Sequence, residues 1–333
     1  MRNINLFLVT GASGFLGHSI VQQLIDRNKK VRVLVLPNDK HKDIIPKGVE
    51  IIIGNVLDKS SLKGFFKGDM SKACLIHCAG IISIASKKDK LLWDVNVKGS
   101  QNILDISAKK KMGKVIFVSS VHSFKPLKHH KIIKEPTSYN YKKVSGQYGK
   151  SKAMVCEHAV RLANKGLNVS IVLPSGIIGP DDFMQGSITK TVKNYCNNKL
   201  GYAVKKGYDF VDVRDVARGI ISCAYHGRKA ESYLLTNRYV SLKEVFDYIH
   251  SKGYGKHMKY VPLWLIKIVA PIIEYRTLKR KESLFLSKES VRVLSENSNY
   301  SHEKALKELD FHPRSIYETL DDLIAWLKES KQI

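Results

Sequence analysis

Tyr148 and Lys152 stand four residues apart in Tyr148-Gly149-Lys150-Ser151-Lys152, at the start of a segment whose periodicity predicts a helix, so both side chains share one face. That spacing has a chemical use. A phenol with an ordinary pKa of about 10 is a poor general base at neutral pH, and a neighbouring ammonium favours the phenolate. Upstream, Ser119-Ser120 closes an apolar run. The Ser120 hydroxyl could hydrogen-bond a substrate oxygen while Tyr148 transfers the proton. A Tyr-x-x-x-Lys pair is often only a surface pair on a helix. Here it follows the fifth predicted strand and lies downstream of Ser120 and of a glycine turn, and that context favours the chemical reading.

The turn is Thr10-Gly11-Ala12-Ser13-Gly14-Phe15-Leu16-Gly17, at the end of the first apolar run and the opening of an amphipathic helix. Gly11 permits the tight turn, Gly14 lets backbone approach a pyrophosphate, and Gly17 allows close helix packing. The helix N-terminus offers free N–H groups to phosphates. These residues predict a dinucleotide. Leu36 stands where an NAD site carries a carboxylate for the ribose, followed by Pro37-Asn38-Asp39-Lys40. Lys40 and Lys42 could meet a 2′-phosphate, while Asp39 could serve the ribose if the loop folds back. Either NADP or NAD is expected, with NADP slightly favoured.

The elements that must position these groups are legible as alternating patterns. Apolar runs at 4–10, 31–36, 50–54, 73–79, 114–119 and 168–173 read as strands, and 14–28, 60–66, 91–111 and 145–165 read as helices. Continuous apolarity suits a parallel sheet covered on both faces. The expected class is α/β, a doubly wound parallel sheet with ligands at the carboxyl ends of its strands. A further run at 232–236 is expected to rejoin the sheet. The last hundred residues are mainly helical and close on an amphipathic segment at 317–328. Residues 1–180, with 210–240 returning, are expected to form the dinucleotide-binding domain, and 181–209 with 241–333 a smaller, mainly helical substrate region.

The sequence resembles the extended short-chain dehydrogenase/reductases, the NAD-dependent epimerase/dehydratase family. The matching residues are Gly11-x-x-Gly14-x-x-Gly17, His77-Cys-Ala79-Gly80, Asn96-Val-Lys-Gly99, Val118-Ser-Ser120, Tyr148-x-x-x-Lys152, Leu173-Pro174-Ser-Gly176-Ile177-Ile-Gly179-Pro180 and Phe210-Val-Asp-Val-Arg-Asp215. They span residues 1 to about 220 in the family's order, and the final third matches only loosely. The resemblance implies a Rossmann fold, with Tyr148 as acid/base, Lys152 holding the nicotinamide ribose and Ser120 orienting the substrate. Gly11, Ser13, Gly14, Phe15, Leu16, Gly17, Leu36 and Lys40 would border the dinucleotide on one side. Ala79, Gly80, Ser119, Pro174, Gly176 and Ile177 would line the groove and flank the nicotinamide. Asn55-Val56 stand where the family has Asp followed by an apolar residue against the adenine, so Asn55 departs from the pattern and Val56 keeps it, and Asn96 would support the site. A homodimer through the helices at 91–111 and 145–165 is a further implied expectation.

Within that family Leu173-Pro174-Ser175-Gly176, with Val144-Ser145-Gly146-Gln147-Tyr148, looks more like the dihydroflavonol-reductase and 3β-hydroxysteroid-dehydrogenase branch than like sugar-nucleotide epimerases. That implies a ketone or secondary alcohol on an apolar small molecule. The alternatives are a nucleotide-sugar epimerase or dehydratase, and a dinucleotide-sensing protein without catalysis. His77 reads as a core residue and His122 as a solvated loop residue. His129-His130 lacks ligand partners at useful spacing, so no metal is assigned.

Fifty-six Lys+Arg against 30 Asp+Glu give a net charge of +26. Only 12 of the 56 are Arg and the runs are short, so a scattered lysine coat is expected and no nucleic-acid partner. Five cysteines without a Cys-x-x-Cys pair suggest free thiols in the cytoplasm. No run approaches the ~18 apolar residues of a membrane span. The apolar stretch 261–273, followed by Arg276, Lys279, Arg280 and Lys281, reads as a helix covering an apolar pocket, since Pro262, Pro271 and Lys267 interrupt it. Peripheral membrane contact through 261–281 is the less favoured reading.

Overall fold

The computed structural model describes residues 3–83, 85–279 and 286–333. Arg280 and Lys281 of the basic flank therefore lie outside the described residues. The chain runs β1 (Leu6–Thr10), α1 (Phe15–Ile25), β2 (Val31–Val35), β3 (Glu50–Ile53) and β4 (Ala73–His77). Next come α2 (Lys90–Trp93), a π-helical turn (Asp94–Gly99), α3 (Ser100–Lys109), β5 (Lys114–Val118), α4 (Gln147–Asn164) and β6 (Val169–Pro174). After β6 follow β7 (Gly176–Ile178), α5 (Ser187–Cys196), β8 (Tyr202–Ala203), β9 (Gly207–Asp212), α6 (Val213–His226), β10 (Ser232–Leu235), β11 (Arg238–Ser241) and α7 (Leu242–Ser251). The last elements are β12 (Lys259–Tyr260), α8 (Leu263–Lys279), α9 (Lys288–Ser295), α10 (Glu303–Leu309) and α11 (Ile316–Glu329).

Seven strands form one parallel sheet in the order β10-β6-β5-β4-β1-β2-β3. The chain moves outward from β1 through β2 and β3, then crosses to β4 and continues the other way. The crevice between β1 and β4 is thus the switch point, where such sheets bind ligands. Side chains alternate between two cores. Leu8, Leu75, Val115 and Phe117 pack on the face of α3 and α4, and Val9, Cys74, Ile76 and Ile116 on the face of α1 and α6. Both faces are covered over the central strands. The edge strand β3 is the exception, with Ile51 and Ile53 exposed.

The expected strand at 232–236 pairs with β6 in parallel, by a register of Ser232 with Ile171. Strands β7, β9 and β11 leave the main sheet for a small three-stranded one beside the carboxyl ends. The helix expected at 60–66 is absent, and turns occupy that stretch. Ser60 and Ser61 direct their hydroxyls to Asp58, and the Asn55 amide donates to Ser61, so local side-chain bonds compete with the helical ladder. The helix expected at 91–111 is interrupted by the π-helical turn that carries Asn96.

Candidate active site

The glycine turn closes on backbone. Gly11 has φ +76°, and a Cβ there would lie 2.8 Å from the Ala79 nitrogen. A Cβ on Gly17 would lie 1.9 Å from the Gly11 carbonyl oxygen. Gly17 is therefore needed for the turn to fold onto its own helix, a closer constraint than the helix packing expected of it. The Thr10 hydroxyl bonds His77 Nδ1 at 2.7 Å and accepts from the Ala79 amide at 3.2 Å, tying the end of β1 to the end of β4. Ser13, Gly14, Phe15 and Leu16, all half-buried, open α1, whose first turn holds no acidic residue to compete for an anion. A side chain at Gly11 or Gly17 would strike backbone, so glycine there keeps the turn tight and leaves the N-terminus of α1 open to fit a dinucleotide pyrophosphate.

At the end of β2 the loop does fold back. The Ser13 hydroxyl donates to Asp39 Oδ2 at 2.6 Å, and the His41 amide donates to Oδ1 at 2.9 Å. Leu36 and Lys40 are exposed. At the end of β3, Asn55 accepts from the Leu57 amide at 2.9 Å, so its side chain shapes its own turn. Val56 is buried, and a Cβ on Gly99 would lie 2.6 Å from its Cγ2.

Ser120, Tyr148 and Lys152 meet beyond the carboxyl end of β5. Ser120 is buried, its hydroxyl accepts from the His122 amide at 3.2 Å, and it lies close enough to the Tyr148 phenol to favour the phenolate. Burial nevertheless pushes the phenol up to about 12, with Ser120 holding it back. Lys152 is buried and donates to the Val118 carbonyl at 2.9 Å, with its ammonium 5.3 Å from the centre of the Phe117 ring. Burial lowers it to about 8. The expected depression of the tyrosine by Lys152 is not found: Lys152 turns to a backbone carbonyl, and burial raises the phenol instead. Ser119 is also buried and accepts from the Cys156 thiol at 3.1 Å.

Asn96 is buried and fully used by the protein. Its Oδ1 accepts from the Ile81 amide at 2.7 Å, while its Nδ2 donates to the Ile81 carbonyl at 2.9 Å and to Ser151 Oγ at 3.2 Å. It clamps the loop after Gly80 onto α4. A Cβ on Gly80 would lie 3.4 Å from Lys152 Nζ, which places that loop against the lysine. Pro174 is buried at the end of β6, and Gly176 and Ile177 are half-buried in β7.

His77 is buried, as expected, and desolvation drops it to about 3. His122 is not the solvated residue expected. Its ring stacks on Tyr208 and meets the Tyr148 ring edge-on, and its Nε2 lies 3.0 Å from the Tyr208 hydroxyl. Desolvation lowers it to about 4. Next to Tyr208 in β9, buried Asp209 bonds Ser175 and the Asn237 amide through Oδ1, while Oδ2 has no partner among the described residues. Burial raises this carboxyl to about 6. Tyr208 and Asp209 come from β9, and no spacing in the sequence links them to Tyr148.

A parallel sheet with a dinucleotide turn at its switch point defines an NAD(P)-dependent dehydrogenase or reductase of the extended short-chain type. Residues 7–236 match the sequence model of the NAD dependent epimerase/dehydratase family, and the chain belongs to that family. It is similar to sterol demethylase protein B of Methylococcus capsulatus, 27% identical over 98% of this chain and 99% of the relative. It is also similar to a putative dihydroflavonol 4-reductase of Synechocystis sp., 26% identical over 97% of this chain and 94% of the relative. Among solved structures, the crystal structure of gox2253 superposes with a TM-score of 0.85 at 25% identity, covering 99% of both chains.

Proposed function

We propose that this enzyme moves a hydride between a nicotinamide and a ketone or secondary alcohol on an apolar small molecule, with Tyr148 handling the proton at the substrate oxygen. The observation that carries this reading is the approach of Ser120 to the Tyr148 phenol at the end of β5, where buried Lys152 reaches the Val118 carbonyl. When bound in the cradle, the nicotinamide supplies or accepts the hydride. Ser120 orients the substrate oxygen. Tyr148, kept neutral by burial, donates its proton in the reducing direction, and the Lys152 ammonium stabilises the phenolate left behind. In the oxidising direction the same groups run in reverse. The names of the two relatives, a sterol demethylase protein and a dihydroflavonol reductase, favour a ring-built apolar substrate.

The preferred cofactor is NAD. Asp39, held by Ser13 at the edge of the glycine turn, suits a ribose diol and repels a 2′-phosphate, so it outweighs exposed Lys40 and Lys42. Residues 1–180 and 210–240 serve the dinucleotide, and 181–209 with 241–333 the substrate. The test is a screen of apolar ketones and alcohols against both cofactors, read by nicotinamide absorbance, with Tyr148→Phe as control. Turnover with net cofactor oxidation or reduction that Tyr148→Phe abolishes supports the reading. Conversion of a nucleotide sugar without net cofactor change would replace it with epimerase chemistry.

A further inference from the structure

Helix α8 is apolar on nearly every side, and the protein covers only part of that surface. Its buried residues are Ala270 and Glu274. The Glu274 carboxylate accepts from the Ser86 amide at 2.6 Å, the Ser86 hydroxyl at 3.0 Å and the Lys288 amide at 3.1 Å. That carboxylate pins the helix to the loop after Gly80 and to the start of α9. The outward face carries Trp264 (63% exposed), Ile268 (60%), Ile272 (52%) and Tyr275 (68%), with Leu265 and Leu278 also exposed. At about 100° per residue these six side chains fall within one arc of about 140°. Exposed Lys267 and Arg276 flank the two edges of the arc, and exposed Lys279 falls within it at the last turn. A surface helix normally turns its charged face to water and its apolar face inward.

From this face we infer that α8 docks the protein on an anionic phospholipid surface, lying in the plane of the interface. Trp and Tyr favour the headgroup boundary, where a ring sits in apolar surroundings and its polar edge stays wet. Lys and Arg on either side lay their stems along the apolar surface and reach lipid phosphates. Charge decides between a bilayer and a second copy of the chain. Two copies meeting face to face would bring Lys267, Arg276 and Lys279 of each together, on chains that each carry +26. An anionic bilayer complements those charges. Among the described residues no helix is long and apolar enough to cross a membrane, and an in-plane helix needs no such length. The docked helix is tied to the candidate active site, because the loop that Glu274 holds is clamped at Ile81 by Asn96 and at Asp89 by Gln147.

The experiment is co-sedimentation of the full-length chain with phosphatidylglycerol/phosphatidylcholine vesicles and with phosphatidylcholine vesicles. Binding is compared with that of Trp264→Ser/Ile268→Ser, which leaves every charge in place. Far-UV circular dichroism and cofactor binding confirm that the variant is folded. The expected result is binding to the anionic vesicles, weak binding to the neutral ones, and a loss of about tenfold or more in the variant. A blue shift of Trp fluorescence on vesicle binding, lost in Trp264→Phe, is expected alongside. Unchanged binding by the double variant would mean general charge attraction only and would overturn the proposal. So would a dimer in sedimentation equilibrium that the double variant splits, or no binding to the anionic vesicles. None of these readouts depends on the substrate.

Discussion

The Ser13 hydroxyl donates to Asp39 Oδ2 across 2.6 Å, joining the glycine turn after β1 to the loop after β2. The bond brings Asp39, and not Lys40 or Lys42, to the glycine turn, where the proposed dinucleotide would place its adenosine ribose. Replacing Asp39 with Ser should therefore improve NADP use relative to NAD, by about tenfold in the ratio of kcat/KM. Lys40→Ala/Lys42→Ala should leave that ratio nearly unchanged. A ratio that moves with the lysines and not with Asp39 would reverse the assignment.

Removing the phenolic hydroxyl tests the proton step. Tyr148→Phe should lower kcat by roughly 10²–10⁴-fold while the dissociation constant of NADH stays within a few-fold. Fluorescence titration with NADH separates the two effects. Turnover at the wild-type rate would rule out Tyr148 as the proton donor.

Lys152 supplies a pH limb. Its ammonium, lowered to about 8 by burial, is charged below that value and neutral above it. If the charge stabilises the phenolate, kcat/KM falls as pH rises through about 8. Lys152→Arg keeps its charge at higher pH, so the alkaline fall should move up or vanish even if the overall rate drops. An identical profile in the variant would assign the limb to another group.

Asp209 predicts a stability change of defined sign. Its carboxyl titrates at about 6 when folded, above the ordinary value, because burial disfavours the charge. Below about pH 4 both folded and unfolded chains hold the proton, and no penalty arises. As pH rises toward 6 the unfolded chain releases it first, so the folded state loses stability, by an amount on the order of 3 kcal/mol once pH exceeds 6. Asp209→Asn keeps the oxygen that Ser175 and Asn237 use and removes the titration. Urea melts between about pH 4 and 7 should show the variant gaining on wild type as pH rises, and parallel curves would disprove the linkage.

Gly17→Ala probes the cradle without touching the proton-transfer groups. Its methyl would sit 1.9 Å from the Gly11 carbonyl oxygen, so the turn must shift. The expected cost is about 1–3 kcal/mol in thermal or urea unfolding, with weakened NADH binding. Wild-type affinity in this variant would mean that the turn is not where the dinucleotide binds.

Local pattern determined much of this protein. The glycine turn, the alternation of buried strands and helices, and the Tyr148–Lys152 spacing are each short-range features written in consecutive residues, so the doubly wound fold and the family could be read directly from them. Where local bonds competed, the reading failed. Ser60 and Ser61 turn to Asp58 instead of extending a helix, and the π-helical turn at Asn96 interrupts another. Groups far apart in the chain were beyond reach. Only folding brings Asp39 to Ser13, stacks His122 on Tyr208, turns Lys152 to the Val118 carbonyl and raises the Tyr148 phenol by desolvation. The stretch 261–273 makes the same point, since its composition alone suits a cover over a pocket. Which face of α8 turns outward is decided across the fold, where Ala270 is buried and the Glu274 carboxylate meets the Ser86 amide and hydroxyl. Propensity and periodicity are properties of neighbours in sequence; burial and hydrogen-bond partnership are properties of neighbours in space.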